Sequence, residues 1–514
     1  MGGQAELSGP DFALGVDAAS LHPGDKLLGH ASGEAVLLVR LDDEFVAIGA
    51  SCTHYGGPLA EGAIVGNTIR CPWHHGCFNL RTGEALRAPA LNPVACWKVE
   101  QRGGTIVVTN KLERDPLAPE YPIAVDRAVM PRDVVIVGAG AAGSAAAEML
   151  RRCGYDGRIT MVDDDDGSPY DRPNLSKDYL AGNAPEEWIP LRPEGFYAEH
   201  DVRVVRGHAT RLDTTARTIA VTNNGVLSYD ALLLATGAEP VHLKMPGDDQ
   251  PHVHYLRSLN DSRSIIAAAK SAKHAVVIGS SFIGLEVAAS LRARDVDVHI
   301  VAPEKRPLER VLGEYLGAFI QSLHETKGVV FHLGHTSKQI EPDAVVLDDG
   351  TRLACDLVVI GVGVKPRLEL AEQAGLVVDR GVVVSGHLES SVPGIFAAGD
   401  IARWPDPHTG DRIRVEHWVV AQRQGQAAAR NILGANERFD QVPFFWSHHY
   451  DLSINYVGHA DKWDRVDVDG SADRRDVAVR FVQGGKTLAV ATIARDTESL
   501  EAEIAMERAL TERA

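Results

Sequence analysis

The first hundred residues alternate short apolar runs with polar turns. Ala35-Val36-Leu37-Leu38-Val39, Phe45-Val46-Ala47-Ile48 and Thr105-Ile106-Val107-Val108 lie between clusters of Gly, Asp and Pro, the pattern of strands joined by tight turns. It predicts an all-β region over residues 10–110. A Pro-containing stretch with weak periodicity, residues 111–131, reads as a linker. At Asp133 the texture changes. The wholly apolar run Val134-Val135-Ile136-Val137 leads into an Ala-rich segment, and that alternation of buried strand and helix marks βαβ units around a parallel sheet. The same texture restarts at His274 with Ala275-Val276-Val277-Ile278-Gly279. After residue 439 short strands return (Val477-Ala478-Val479-Arg480-Phe481, Leu488-Ala489-Val490-Ala491), and a helix-like acidic tail follows Glu498.

Composition narrows the class. The chain has 514 residues, enough for about three to five domains. Its 45% hydrophobic and 24% charged residues are ordinary globular values. A formal charge of −18 argues against nucleic acid or anionic membrane as a partner. The six cysteines, Cys52, Cys71, Cys77, Cys96, Cys153 and Cys355, include no C-x-x-C pair. They are too few for a disulfide scaffold and suit a reducing compartment. The N-terminus has no basic start and no apolar core, and no apolar run approaches the roughly 20 residues of a membrane helix. The expectation is a soluble cytoplasmic protein.

Cys52-Thr53-His54 and Cys71-Pro72-Trp73-His74 form a C-x-H…C-x-x-H pair with sixteen residues between His54 and Cys71. Two thiolates suit one iron and two imidazoles the other, the mixed ligation of a Rieske [2Fe–2S] centre. A Cys2His2 zinc site is the alternative, but zinc sites favour Cys–Cys and His–His pairs, whereas each pair here is mixed. Residues 51–79 resemble the Rieske ferredoxins and the Rieske domains of oxygenase systems, which implies Cys52, His54, Cys71 and His74 as ligands. The high-potential members carry a disulfide-forming Cys in each loop, where this chain has Gly57 and Trp73, and a Ser and a Tyr that hydrogen-bond the cluster, where it has Gly76 and Phe78. Fewer hydrogen bonds to sulfur imply a potential at the low end of the Rieske range, near roughly −150 mV. His75 stands where Gly is usual; the spacing favours His74 over it as ligand. Cys77 reads as a packed thiol.

Gly138-Ala139-Gly140-Ala141-Ala142-Gly143 follows a strand and opens a helix. Its glycines allow a tight turn and the close approach of a pyrophosphate to the helix N-terminus. The acidic cluster Asp163 to Asp166 lies about 20 residues further on, where a carboxylate binds ribose hydroxyls. A second motif reads Gly279-Ser280-Ser281-Phe282-Ile283-Gly284, with Ser281 for the middle glycine. Two nucleotide-binding folds are therefore expected. After the next strand, Glu304 favours the free 2′-hydroxyl of NAD(H), while Lys305 and Arg306 offer partners for the 2′-phosphate of NADP(H).

Residues 133–514 resemble the ferredoxin reductases and apoptosis-inducing factors, and the apoptosis-inducing-factor-like group carries the same N-terminal Rieske domain. The resemblance implies a multidomain protein: an all-β Rieske domain at 10–110, a linker at 111–131, an α/β FAD-binding domain in two segments (132–250 and 366–438), a Rossmann-like NAD(P)H-binding domain at 251–365, and an α+β C-terminal reductase or dimerisation domain at 439–514. By the same likeness Asp164 holds the adenosine ribose, and Arg172 and Lys177 face the pyrophosphate and isoalloxazine. Thr236 and Gly237 mark the first crossover and Gly363 the second. Asp400 binds the ribityl chain, and Glu416, His417 and Trp418 lie along the flavin edge. Phe282 and Glu286 sit at the nicotinamide, and Glu286 pairs with Lys177, the two implied catalytic residues. Ser281 and Asn174 depart from the family pattern.

Relatives that reduce disulfides place a Cys pair beside the flavin, and none exists here, so the Rieske centre is the expected electron outlet. The implied activity is NADH-dependent, with electrons passing through FAD to the cluster and on to a one-electron acceptor protein: an oxygenase, a cytochrome or a ferredoxin. No mononuclear-iron triad marks the chain as the oxygenase itself. A slow, NADH-responsive sensor is the alternative. Either a monomer or a homodimer is compatible with the sequence.

Overall fold

The structure is a computed structural model, and it describes residues 7–113 and 130–512. The N-terminal region holds a six-stranded antiparallel sheet and a smaller four-stranded one over residues 63–87. In Glu34–Arg40, Val36, Leu37, Leu38 and Val39 are all fully buried. Alternating side chains on a strand face opposite ways. Leu37 and Val39 therefore enter the core that includes Cys52 and Cys71, and Val36 and Leu38 enter a second core with Phe12 and Trp97. Two covered faces explain the uninterrupted apolar run. The strand Thr105–Leu112 runs two residues into the expected linker, and residues 114–129 of that linker lie outside the described residues.

Two parallel sheets follow, as the βαβ texture predicts. The first orders its strands Val202–Arg206, Arg158–Asp163, Asp133–Val137, Ala231–Leu234 and Ile395–Ala397, the last arriving from far along the chain. The second orders Val253–Tyr255, Leu357–Ile360, His274–Ile278, Asp297–Ala302 and Val330–Leu333. Ala238–Pro240 pairs with Val364–Pro366 where the chain passes between the two folds and back. Helix Trp418–Ile432 packs against Ala141–Arg152 so closely that a Cβ on Gly425 would lie 2.1 Å from the Ala142 carbonyl oxygen.

The C-terminal region is a five-stranded antiparallel sheet bearing the helix Asp496–Thr511. The domains are therefore α/β in the middle, all-β at the start and α+β at the end. Among the described residues, no helix is long and apolar enough to cross a membrane.

Candidate functional site

The two loops that carry the candidate ligands fold alike. In the first, Cys52 N donates to Gly57 O at 2.8 Å and Gly56 N to Cys52 O at 2.9 Å; in the second, Cys71 N donates to Gly76 O at 2.8 Å and His75 N to Cys71 O at 3.1 Å. Gly56 and His75 occupy the matched left-handed positions, at φ +78° and +59°, which accounts for the Gly usual there.

The loops bring Nδ1 of His54 and Nδ1 of His74 to 3.2 Å. Cys52 and Cys71 are buried and share a hydrogen bond, which holds the Cys52 thiol above and the Cys71 thiol below its usual range. Burial drives His54 down to about 3 and His74 well below the ordinary range, so both imidazoles are neutral, as ligands must be. Among the described residues, three ligand atoms lie mutually within 4.8 Å only at the surface group His335, Asp348 and Asp349, of which His335 is half-buried. The Cys2His2 set is thus spread as two pairs rather than closed around one ion, which fits a two-iron cluster better than zinc. A Cβ on Gly57 would lie 2.6 Å from Cys71 Sγ, so that position has no room for a side chain.

His75 is buried and does not join this set. Its ring stacks on Phe444 with centroids 4.1 Å apart, and its Nδ1 lies 2.7 Å from Glu503.

A cleft of about 590 Å³ lies between the two parallel-sheet folds. Gly138, Gly140, Asp164, Arg172, Lys177, Thr236, Gly237, Asp400, Glu416, His417 and Trp418 line it from one side, and Phe282, Ile283 and Glu286 from the other. Gly143, Gly279 and Gly284 lie beneath the wall: Cβ atoms there would meet backbone oxygens at 1.8, 2.4 and 2.3 Å. Gly363 sits at the second crossover with φ +113°.

Ser281 keeps its hydroxyl folded back, accepting from Gly284 N at 3.3 Å and donating to the Gly361 carbonyl at 2.7 Å. A Ser at this motif position therefore caps the helix Phe282–Arg292. Glu304 is half-buried just past the strand Asp297–Ala302. Arg306 is committed to Glu314 at 2.7 Å, and Lys305 is exposed.

The charged groups of the cleft are mostly paired. Lys177 Nζ lies 2.8 Å from Glu286 Oε2, and Ser176 donates to the same oxygen at 2.6 Å. Asp400 pairs with Arg257 at 2.8 Å, Glu416 with Arg414 at 2.6 Å, and Asp164 with His208 at 3.0 Å. His417 Nδ1 is buried with no partner among the described residues, and burial drives that imidazole down to about 3. An orphaned nitrogen in a glycine-floored cleft fits a polar ligand edge such as that of a flavin.

The Rieske region is docked on this cleft. Tyr55, stacked on His54 at 3.9 Å, hydrogen-bonds Asp171 of the adjoining fold. Trp446 lines the cleft, and its ring lies 4.3 Å from that of His74. Arg423 donates to the carbonyls of Ala88 and His75, both at 3.1 Å, and pairs with Glu503 at 2.6 Å. Arg70 and Arg87 both reach Glu507 at 2.6 Å.

The family model described as pyridine nucleotide-disulphide oxidoreductase matches residues 132–425. The chain belongs to this family. Further models match a Rieske [2Fe-2S] domain at 14–98 and a reductase C-terminal domain at 444–514. Human apoptosis-inducing factor 3 is 31% identical over 477 residues, covering 90% of this chain and 78% of its own. Putidaredoxin reductase CamA of Pseudomonas putida is 36% identical over 377 residues, covering 71% and 89%. The crystal structure of the covalent putidaredoxin reductase–putidaredoxin complex superposes with a TM-score of 0.71 at 35% identity, over 73% of this chain and 93% of that one.

The protein is accordingly an FAD-dependent NAD(P)H oxidoreductase of the pyridine nucleotide-disulphide family with a Rieske [2Fe–2S] domain. Its six cysteines are all buried, include no C-x-x-C pair and form no disulfide.

Sequence reasoning missed Trp446, Tyr55 and Arg257. The aromatic run Phe444-Phe445-Trp446 was the one available signal, since three successive rings on a strand must present both faces to something.

Proposed function

We propose that this protein passes electrons from NADH to a one-electron acceptor protein, a ferredoxin, a cytochrome or an oxygenase component, with its own Rieske centre as the outlet. FAD, when bound, would supply the conversion of a two-electron hydride into single electrons, and a [2Fe–2S] centre held by Cys52, His54, Cys71 and His74 would take them one at a time. The observation that carries the reading is Trp446, which walls the flavin cleft and packs on the proposed ligand His74. No thiol pair competes for the electrons. In this reading Lys177 stands by the flavin as a fixed cation, held by Glu286. Asp164, Asp400, Glu416, His417 and Trp418 orient the FAD, while Phe282 and Glu286 border the nicotinamide. NADH is the proposed donor, because Glu304 follows the second nucleotide strand and Arg306 is held by Glu314.

The test is His74→Ala in the full-length protein. Iron and acid-labile sulfide should fall well below two each per chain, NADH should still bleach the flavin, and reduction of the acceptor should collapse. Full electron delivery by a cluster-free variant would overturn the serial route.

A further inference from the structure

A hydrogen-bonded chain starts at Glu286 in the cleft. Glu286 Oε1 accepts from Ser447 Oγ at 2.6 Å. Ser447 Oγ lies 3.1 Å from His449 Nε2, His449 Nδ1 lies 3.2 Å from His324 Nε2, and His324 Nδ1 lies 3.1 Å from the Tyr450 hydroxyl. Ser447, His449, His324 and Glu286 are all at most 4% exposed, while Tyr450 reaches the surface as a half-buried residue. Nothing in a hydride transfer requires two fully buried histidines joined ring to ring, so the chain needs another purpose.

The donors can be assigned by elimination. Desolvation drives His449 down to about 3, helped by Lys177 and His448, and drives His324 well below the ordinary range, helped by His449. Both rings are therefore neutral, with one N–H and one bare nitrogen each. Glu286, paired with Lys177, accepts from Ser447, so His449 Nε2–H must donate to Ser447, His324 Nε2–H to His449 Nδ1, and Tyr450 O–H to His324 Nδ1. All four bonds point at Glu286. Charged groups near it include Lys177 at the cleft, and Arg292, Lys327 and Asp451 near Tyr450.

We propose that Glu286, Ser447, His449, His324 and Tyr450 form a proton relay between the cleft and solvent. It rests on the reading that electrons leave singly through the iron centre, without protons. Oxidation of NADH to NAD⁺ yields two electrons and one proton, and that proton is left in the cleft. An outward passage moves a proton from Glu286 to Ser447 Oγ, from Ser447 to His449 Nε2, from His449 Nδ1 to His324 Nε2, from His324 Nδ1 to the Tyr450 oxygen, and from Tyr450 to water. One proton leaves, each link breaks one bond to hydrogen and forms one, and the arrangement left behind is the one assigned above, with every donor facing Glu286. Reorienting the two imidazoles and two hydroxyls rearms the chain.

The test uses the FAD- and cluster-loaded full-length protein, anaerobic NADH, cytochrome c as acceptor and an indicator dye in weak buffer. The wild type should release one proton per NADH in step with reoxidation, with a solvent deuterium isotope effect on that phase. His449→Gln fills the same space but breaks proton hopping, and Tyr450→Phe removes only the outlet hydroxyl. Each should slow proton release at least fivefold relative to flavin reduction and change the isotope effect, with melting temperature and FAD content at wild-type values. Proton release and isotope effect equal to wild type in both variants would overturn the relay. So would equal slowing of reduction and proton release together, which marks a structural defect. The same dye measurement in His74→Ala separates the two ideas. Undiminished cytochrome c reduction there defeats the iron route alone, while the His449→Gln comparison still decides the relay.

Discussion

Removing Arg423 should release the Rieske domain from the reductase without unfolding either. Arg423 is 1% exposed and Glu503 is 0% exposed. The guanidinium spends its donors on Glu503 and on two carbonyls of the Rieske domain, Ala88 and His75. Arg423→Ala leaves the Glu503 carboxylate without its principal cation and two carbonyls without a donor. Breaking a buried ion pair costs about 3–5 kcal/mol, and each unsatisfied carbonyl adds about 1 kcal/mol or more.

The cost exists only while the domain is docked. Arg423 and Glu503 lie on reductase helices, Trp418–Ile432 and Asp496–Thr511, and undocking returns the carboxylate to water. The penalty therefore falls on the docking equilibrium. At 1.4 kcal/mol per tenfold, even its lower bound of about 3 kcal/mol weakens docking by roughly a hundredfold. Hydrogen exchange should show lost protection at residues 71–90 and along the facing helices, and small-angle scattering should show a larger radius of gyration. Electron transfer from flavin to cluster should slow in parallel. Unchanged protection across both faces would refute the argument, because it would mean that the buried pair contributes nothing to holding the domains together.

Four further outcomes follow from the same geometry. Trp446→Ala should slow cluster reduction after a normal flavin-bleaching phase in stopped flow; equal rates in both phases would remove the indole from the electron path. Gly143→Ala should abolish FAD retention, read as the bound-flavin ratio after gel filtration, because its Cβ would sit 1.8 Å from the Gly138 carbonyl oxygen. Steady-state kcat/KM should favour NADH over NADPH, and Glu304→Ala should erode that preference; a wild-type preference for NADPH would assign the choice to Lys305 and Arg306. Burial raises the Asp171 carboxyl to about 6 from 3.8. The folded state then binds more protons than the unfolded one between those values, so stability falls as pH rises from 4 to 6, by about 3 kcal/mol at most. Asp171→Asn should flatten that slope in urea unfolding, and an unaltered slope would contradict it.

The short-range chemistry of this protein was legible in its residues. C-x-H and C-x-x-H place the proposed ligands on single tight loops, and Gly138 to Gly143 place a turn before a helix, so spacing alone carries the local geometry. The switch from isolated apolar runs to βαβ texture at Asp133 marked the change of fold because strand and helix periods differ. Strand Thr105–Leu112 outran its expected end, since its pairing with Cys96–Arg102 sustains a polar stretch that has no pattern of its own.

Other features were decided only when distant segments met. Tyr55 finds Asp171 across 116 residues, His324 finds His449 across 125, and Arg423 finds the His75 carbonyl across 348. No periodicity links such pairs. His75 looked like a rival ligand because it follows the proposed ligand His74; in the fold its backbone is left-handed and its ring packs on Phe444 and Glu503. Local sequence determines what a loop can bind. Which side chains bury together, and therefore where the cluster faces and what lies between it and the flavin cleft, is settled by packing between domains, where shape and desolvation choose the partners.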